Sequence, residues 1–368
     1  MGRRQVEFVE LELHDFRCFK GVQRFQFEPP TADGRSGVTC VTGWGARGKT
    51  AFVDALELAL WGVRQQRKSP RPYCHVASRL NYNPLGEPKV FIHCDVLQKP
   101  DPRAAAILAL RVTEPDGAQS TLEIRRSWSV LRDGLVKESL EADERRAGRV
   151  ERLVAGPAQW RINGVLPPGR PPLVFVDCDQ MEILSRLSSI RHDVRESAEA
   201  MIAAMVGEWP EEMWRTAAAP VIEAANRLLL GYRRAAEVWL LPEQAGRRWR
   251  GGYPIAPGIW AADQDIDYAQ LTCIGLALVL GPHLAGETSA PLVLDGPANR
   301  LHPDCAGAFL EVLANAVVPQ VIIANHAERL EYPALTLLDR LRWIQLVQSD
   351  THYGVDTLDE KALTGTLR

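Results

Sequence analysis

The sequence lacks the features that mark several classes of protein. Its 43 Lys and Arg residues nearly balance 46 Asp and Glu residues, and the net charge of −3 excludes a chain that coats nucleic acid through its overall field. No apolar run approaches the roughly 20 residues of a membrane helix. The opening segment, MGRRQVEFVE, contains no apolar stretch of signal-peptide length. These absences predict a cytoplasmic protein with no membrane contact.

Cysteines are few and scattered, with seven in 368 residues. No two of them stand in the CxxC spacing of structural zinc sites, and an odd number does not suit a disulfide framework. Several lie inside apolar, strand-like segments, where a free thiol behaves as a small hydrophobic group. The pattern therefore predicts free thiols in a reducing compartment.

The first half of the chain carries strand patterns around one helix. A hydrophobic content of 46% excludes a disordered chain, and the length allows one large domain or two. Period-2 alternation or short apolar runs predict strands at residues 6–13, 22–27, 38–42, 89–97, 106–114 and 120–128. A helix is predicted over residues 50–61. The strongly charged residues 131–152 predict a solvated helix or loop.

The second half has the pattern of helices and short apolar strands. Apolar stripes between residues 181 and 241 predict a two-helix hairpin, and residues 244–258, rich in Gly, Arg and Pro, predict a loop. Strands are predicted at residues 173–176, 291–294 and 321–324, and helices at 269–280 and 306–316. Short apolar strands separated by helices predict a parallel sheet covered on both faces.

Residues 43–50, GWGARGKT, fit the phosphate-binding pattern GxxxxGK[ST] between a buried strand and a helix. Backbone N–H groups of such a loop face phosphates, and the helix N-terminus adds positive charge. Lys49 would reach the β- and γ-phosphates of ATP, and the Thr50 hydroxyl would hold Mg²⁺. The alternative is a glycine-rich turn with an incidental lysine. The candidate nucleotide-binding residues are Gly43, Trp44, Gly45, Ala46, Arg47, Gly48, Lys49 and Thr50.

Asp295 ends a second apolar run, at residues 291–294, and is the candidate for a second carboxylate that holds Mg²⁺ through water. It lies far beyond Lys49 in the chain, which excludes compact P-loop kinases and small GTPases. The spacing instead predicts one ATPase domain whose two halves are separated by an insertion.

Two segments resemble the halves of the RecF/SMC-type ABC ATPases. The first runs from LELHDFRCFKG to VTCVTGWGARGKTAFVDALELALWG, and the second is APLVLDGPANRLHPDCAGAFLEVLANAVVPQVIIANHAERL. This group includes the SMC proteins, the RecF repair ATPase, the coiled-coil double-strand-break repair ATPases and the DndD ATPase of DNA phosphorothioation. The stretch LPPGRPPLVFVDCDQMEILSRL is similar to DndD-like ATPases in particular.

The resemblance implies an α/β fold, namely an ABC-type P-loop ATPase head with an antiparallel β subdomain and a short helical insertion. Residues 1–183 would form the N-terminal half of the head, and residues 255–368 the C-terminal half. Residues 184–254 would replace the long coiled-coil arm of the family with a helical hairpin.

The resemblance also implies roles for single residues. His326 would contact the γ-phosphate as the switch histidine, and residues 297–302 would form the D-loop. Arg17 would lie near the nucleotide phosphates, with a solvated loop arginine as the alternative. Asp179 and Gln180 would lie near the Mg²⁺-sensing Q-loop, with a core strand and helix cap as the alternative. Asp295 and His326 are thus the candidate catalytic residues, and Thr50 and Asp295 the candidate Mg²⁺ ligands.

Three departures from the family pattern bear on activity. Gly45 and Ala46 replace an Asn-Gly pair, which leaves backbone contacts to phosphate possible. Gly296 stands where most ABC ATPases carry the glutamate that polarises the attacking water, although DndD-like proteins lack it as well. Loss of a general base commonly costs about 10²- to 10⁴-fold in rate. Asp304 or Glu328 are candidate substitutes.

The third departure is the signature motif, which is not recognisable at its expected place, residues 264–268. Either Asp265 and Asp267 cap the helix that follows, or the closed dimer forms with a different subunit. A homodimer and a heterodimer of heads therefore both remain open. An ABC transporter motor is disfavoured, because those motors keep both the signature and the glutamate.

Two basic clusters are candidate DNA contacts, and Trp249 is available to stack on a base. The alternative is that both are simply solvated faces. Two functions fit the whole pattern. One is a slowly hydrolysing ATPase that acts on DNA in modification, repair or phage defence, and the other is a nucleotide-gated subunit that regulates an effector. The clusters are Arg64, Arg67, Lys68 and Arg71, and Arg247, Arg248 and Arg250.

Overall fold

A computed structural model describes the fold over most of the N-terminal half and several strands of the C-terminal half. The described residues are 4–43, 48–66, 88–166, 175–177, 239–242, 249–256, 259–261, 290–298, 306, 309–310, 312–313, 318–326, 340–348 and 353–357.

Strands dominate the described residues. The strands are β1 (Gln5–Phe16), β2 (Phe19–Gln26), β3 (Gly37–Thr42), β4 (Arg103–Thr113), β5 (Gln119–Val130), β6 (Val136–Arg146), β7 (Arg149–Val154), β8 (Phe175–Asp177), β9 (Trp239–Pro242), β10 (Trp249–Ala256), β11 (Ile259–Ala261), β12 (Leu292–Asp295), β13 (Gln320–Asn325), β14 (Leu341–Gln348) and β15 (Tyr353–Thr357). The helices whose bounds lie within the described residues are α1 (Lys49–Gln66), α2 (Cys94–Leu97) and α3 (Ala155–Val165), and a 3₁₀ turn spans Pro88–Val90.

A 12-stranded sheet runs in the order β7-β6-β5-β4-β1-β2-β15-β14-β3-β13-β12-β8. The strands from β7 to β2 pair in antiparallel fashion, whereas β14, β3, β13, β12 and β8 are parallel. Strand β15 joins the two parts, because it pairs antiparallel with β14 and parallel with β2. The parallel pairing predicted for the core strands is therefore confirmed, and the predicted antiparallel meander is confirmed for its strands at residues 106–114 and 120–128.

The main core lies between one face of the antiparallel strands and helices α1 and α3. Helix α1 packs on β4 and β5, and α3 packs on β6 and on α1. Leu11, Leu108 and Leu122 point into this core from three strands, and Leu56 meets them from α1; all four are fully buried. The opposite face of the sheet carries the polar residues, as expected of an antiparallel sheet with one solvated side.

Helix α1 bends at Gly62, which has the left-handed values φ 60° and ψ 175°. The bend frees backbone carbonyl groups of the preceding turn, and Arg126 on β5 satisfies them. Its Nε donates to the Ala59 carbonyl oxygen at 3.2 Å, and its Nη2 to the Leu60 carbonyl oxygen at 3.4 Å. A buried arginine thus caps the broken turn of the helix.

The same guanidinium anchors a buried polar cluster. Arg126 Nη1 donates to Glu138 Oε1 at 2.9 Å, and Nη2 donates to Gln159 Oε1 at 2.8 Å. A Cβ atom on Gly62 would lie 2.3 Å from Glu138 Oε1 and 2.5 Å from Arg126 Nη1. Only glycine therefore suits this bend, for reasons of both space and backbone conformation.

Buried polar side chains join the two ends of the chain. Gln320, at the start of β13, accepts from the Phe8 amide at 2.6 Å and donates to the Phe8 and Glu28 carbonyl oxygens at 2.8 Å each. The Ser36 hydroxyl donates to the Val318 carbonyl oxygen at 2.5 Å. These contacts fix β13 beside β3 and confirm that the two ends of the chain build one sheet.

The strand predicted at residues 89–97 is wrong. This segment forms the 3₁₀ turn and helix α2, and Ile92 alone makes a single bridge with Phe16. His93 caps α2, because its Nδ1 accepts from the Asp95 amide at 3.2 Å. A local cap of this kind supplies the backbone partner that strand pairing would otherwise provide.

The solvated helix or loop predicted at residues 131–152 is also wrong, because this segment forms β6 and most of β7. Val136 and Ala142 are buried on the core side, and three of the five residues between them are charged, namely Lys137, Glu138 and Glu141. The many charged residues of this segment obscured the strand pattern, because one face of the strand lies in water.

Within the loop predicted at residues 244–258, residues 249–256 instead form β10, which pairs antiparallel with β9 and β11, and the other residues of that loop lie outside the described residues. Trp239, which the sequence assigns to a helical stripe, begins β9. Short apolar runs are compatible with both helix and strand, and here the hydrogen-bonded pairing with β10 makes the segment a strand. Residues 181–238 and the helix predicted at 269–280 lie outside the described residues. In the helix predicted at residues 306–316, the described residues Ala306, Phe309, Leu310, Val312 and Leu313 are helical and buried.

Among the described helices, none has the length and apolar character that crossing a membrane requires. The described cysteines, Cys18, Cys40 and Cys94, are free thiols, as the sequence predicts for them.

Candidate nucleotide-binding site

The parallel strands bring distant segments of the chain to one edge of the sheet. In the register of the sheet, Thr42 at the end of β3 lies beside Asn325 at the end of β13. One residue earlier on β13, Ala324 lies beside Asp295 at the end of β12. Asp295 in turn lies beside Asp177 at the end of β8. Carboxyl ends of parallel strands are where open α/β sheets bind ligands.

The order of these strands decides which residues become neighbours. Strand β13 lies between β3 and β12, and His326 directly follows it. His326 therefore leaves the sheet between the start of the phosphate loop at Gly43 and the carboxylate of Asp295. The structure thus brings together Gly43, Asp295 and His326, which the sequence singles out separately.

Lys49 begins α1 and its side chain reaches back to Gly43, the residue that follows β3. Its Nζ donates to the Gly43 carbonyl oxygen at 2.8 Å, and the residue is 8% exposed. Thr50, the next residue, is half-buried in the first turn of α1. The ammonium group therefore lies next to Gly43, at the start of the phosphate-binding motif. Trp44, Gly45, Ala46 and Arg47 lie outside the described residues.

The turn between β1 and β2 packs against the end of the phosphate loop. Gly48 has φ +88°, and a Cβ there would lie 2.7 Å from Cys18 Sγ and 3.0 Å from Phe19 Cζ. The third glycine of the motif is thus fixed by close packing as well as by backbone conformation. Burial raises the pKa of the Cys18 thiol to about 11, so Cys18 packs here as a neutral, apolar group.

Arg17 is held beside the phosphate-loop helix. Its Nη1 donates to the carboxylate of Asp54 on α1, and its Nε donates to the Val90 carbonyl oxygen at 2.7 Å. The Arg17 side chain is 19% exposed, which overturns the alternative of a solvated loop arginine. Asp54 lies one helical turn beyond Thr50, on the same side of α1. Sequence reasoning missed this partner, since an acid inside an apolar helix looks like an ordinary polar position.

The backbone after Asp295 turns sharply. Asp295 is 5% exposed, and Gly296 has φ +68° with its amide donating to the Ala324 carbonyl oxygen at 2.7 Å. A residue with a Cβ atom costs roughly 1–2 kcal/mol in this left-handed conformation. The absence of the usual glutamate at this position therefore matches a backbone that favours glycine.

Asn325 is a site neighbour that the sequence analysis missed. Its side chain is fully buried, its Oδ1 accepts from the Ala298 amide at 3.0 Å, and its Nδ2 donates to the His326 carbonyl oxygen at 3.1 Å. An asparagine directly after the apolar run VIIA and directly before His326 was the available signal.

Other predicted residues are not brought to this edge by any described contact. Gln180, Asp179, Asp304, Glu328 and the signature-like residues 264–268 lie outside the described residues. So do Arg67, Lys68, Arg71, Arg247 and Arg248, whereas Arg64 and Arg250 lie on α1 and β10.

Comparison with known proteins agrees with this geometry. A family model described as an AAA domain (AAA_23) matches residues 10–147. A solved SMC head bound to the C-terminal winged-helix domain of ScpA is 16% identical, with a TM-score of 0.60 over 97% of this chain and 99% of that chain. An SMC head with an extended coiled coil, bound to the C-terminal domain of ScpA from Pyrococcus furiosus, is 12% identical, with a TM-score of 0.57 over 98% of both chains. No curated protein sequence matches this chain.

The match to the AAA domain, the likeness to SMC heads and the strand order around the phosphate loop lead to the same assignment. They confirm the α/β class predicted from the sequence. This chain has the fold of an SMC head domain.

Proposed function

We propose that this chain is a cytoplasmic ATPase head that binds ATP with Mg²⁺ and uses the bound state to control assembly on DNA. The observation that carries the proposal is the meeting of Gly43, Asp295 and His326 at one sheet edge, with the Lys49 side chain reaching back to Gly43. In this arrangement the backbone amides of residues 43–50 and the Lys49 ammonium bind the phosphates.

Thr50 and Asp295 supply hard oxygen donors, which are the ligands that Mg²⁺ prefers. Asp295 lies at the carboxyl end of β12 and is 5% exposed. These residues therefore fit the ion. Bound Mg²⁺ would neutralise part of the phosphate charge. His326 contacts the terminal phosphate, Arg17 adds positive charge from the β1–β2 turn, and Gln180 senses the ion from the Q-loop.

Hydrolysis is slow in this proposal, because Gly296 cannot act as the general base. The same observation favours a second candidate, a nucleotide-gated subunit that regulates an effector with little or no turnover. Phosphate release, measured with and without DNA, separates the two. Turnover that DNA accelerates supports the ATPase, whereas ATP binding without turnover supports the regulatory subunit.

We also propose the biological setting and the partners from the resemblance. The likeness to DndD-like ATPases supports a role in DNA modification, repair or phage defence. Two heads, either identical or different, would close over ATP as a dimer. The similar SMC heads were solved with a domain of ScpA bound, which supports docking of a further protein of the same pathway.

The Mg²⁺ site is tested by replacing Asp295 with Asn. We expect Mg²⁺ to tighten ATP binding to the wild type. In Asp295→Asn, this Mg²⁺-dependent increase in ATP affinity should be about tenfold smaller, which corresponds to about 1.4 kcal/mol of binding free energy. Isothermal calorimetry with ATP in Mg²⁺ and in EDTA measures both values. Asp116→Asn, in the exposed turn between β4 and β5, is the matched control and should behave as the wild type. A wild type without ATP affinity in Mg²⁺ would refute the proposed function.

DNA binding is tested by its dependence on salt. If Arg247, Arg248 and Arg250 bind phosphates, the affinity for duplex DNA should fall steeply with salt. Their replacement by Gln should lower the slope of log K against log salt by about 0.9 for each phosphate that is no longer neutralised. Arg103→Gln, an exposed arginine paired with Asp101 on the sheet, is the control. Absence of binding at low salt contradicts the DNA role.

A further inference from the structure

We propose that Asn325 is a positioning residue that ties His326 to the loop Gly296–Ala298, so that a phosphate contact at His326 is transmitted to that loop. This inference rests on the ATP site proposed above. It assigns a task to a residue that neither binds nucleotide nor lies in the phosphate loop.

The tie depends on two hydrogen bonds from one side-chain amide. Asn325 Oδ1 accepts from the Ala298 amide at 3.0 Å, and Nδ2 donates to the His326 carbonyl oxygen at 3.1 Å. The Asn325 side chain is fully buried and so is its bond to the Ala298 amide, so water does not compete for that bond, while the bond to the His326 carbonyl oxygen is partly buried. The Asn side-chain amide carries its acceptor oxygen and its donor nitrogen on two separate atoms, so one group can bind both partners at once.

Without the Asn325 side chain, the described backbone hydrogen bonds attach the loop Gly296–Ala298 to β13 only at its first residue. The Gly296 amide donates to the Ala324 carbonyl oxygen at 2.7 Å, which anchors the first residue after Asp295 to β13. Ala298 lies two residues further along, and its amide is held by Asn325. The Asn325 side chain therefore extends the attachment from the end of β12 into the loop. His326 directly follows Asn325 in the chain, so a displacement of the His326 backbone also displaces the Asn325 side-chain amide.

The opposite end of β13 offers a matched control. Gln320 is likewise a buried amide, and its side chain also receives one backbone amide, that of Phe8 at 2.6 Å. Five residues separate it from Asn325, which along a strand is about 17 Å. Replacing either amide by Leu removes buried hydrogen bonds from the same strand, but only Asn325 touches the segments next to the phosphate site.

Amide hydrogen exchange measures the tie directly. In Asn325→Leu, exchange at Ala298 should become at least about fivefold faster, since the net contribution of one such bond is lost. In Gln320→Leu, exchange should accelerate at Phe8 and stay unchanged at Ala298. Asn325→Asp keeps an acceptor for the Ala298 amide and loses the donor to His326, so Ala298 exchange should stay near the wild-type rate. An unchanged Ala298 rate in Asn325→Leu overturns the tie.

Addition of ATP and Mg²⁺ tests the transmission. In the wild type, ATP should slow exchange at Gly296 and Ala298. Asn325→Leu should bind ATP within about threefold of the wild type and lose this slowing, whereas Gln320→Leu should keep both. Asn325→Asp should also lose the ATP-dependent slowing of amide exchange. This second variant keeps the proposal testable if Asn325→Leu does not fold. Slowing that persists in the Asn325 variants overturns the proposal. A wild type that binds no ATP refutes the proposed function and the transmission, while the nucleotide-free rates still decide the tie.

Discussion

Replacing Arg126 by Met is expected to lower the free energy of unfolding by about 3–5 kcal/mol. The change leaves the Glu138 carboxylate buried without its cation, and it removes the donors to the carbonyl groups freed at the Gly62 bend. Breaking a buried ion pair from one side is costly because the remaining charge is neither solvated nor balanced. Urea denaturation followed by fluorescence measures the loss.

The control for Arg126 is Arg152→Met, at an ion pair with Glu141 on the solvated face of the same sheet. The Arg152 side chain is 65% exposed, and such pairs contribute about 0–1 kcal/mol. The double variant Arg126→Met/Glu138→Leu should regain part of the stability, because both buried charges are then gone. If Arg126→Met costs no more than Arg152→Met, the buried cluster does not hold the bend of α1.

Replacing Lys49 by Ala is expected to weaken ATP binding by roughly 10²-fold, which is about 2.7 kcal/mol. The ammonium group is the charged donor held at the loop, bound to the Gly43 carbonyl oxygen and nearly buried. Hydrogen bonds to charged groups contribute about 1.5–3 kcal/mol, and the ammonium has several donors for phosphate oxygens. Titration with a fluorescent ATP analogue measures the change.

The matched control for Lys49 is Lys99→Ala, at an exposed lysine after α2, which should bind ATP as the wild type does. Urea denaturation of Lys49→Ala checks that the variant remains folded, so that a loss of ATP affinity does not simply report unfolding. Undiminished ATP affinity in Lys49→Ala would refute the assignment of the phosphate site.

The sequence predicts the elements whose burial pattern is simple. Strand β3 is fully buried and forms an apolar run, and β1 alternates, so both were predictable from periodicity. The positions of Asp295 and His326 at the carboxyl ends of two neighbouring strands were predictable from the apolar runs that precede them. Strand β6 was not, because only Val136 and Ala142 of its residues are buried, while charges occupy both faces elsewhere.

The contacts that shape the site were beyond sequence reasoning for a different reason. Arg17 meets Asp54, and Asn325 meets Ala298, only after the chain has folded. No local spacing encodes these pairs, since each depends on the packing of separate elements. The positive φ of Gly296 likewise follows from how β12 ends beside β13.

The interior position of β3 in the sheet has a consequence for synthesis on the ribosome. Both edges of β3 pair with strands from the last part of the sequence, β13 and β14, and the bonded pair Ser36 and Val318 lies 282 residues apart. At about 5–20 residues per second, translation leaves this apolar strand without its neighbours for tens of seconds. Unpaired strand edges promote aggregation. A nascent chain that terminates before residue 320 therefore contains the whole phosphate motif and neither of the two strands that flank β3.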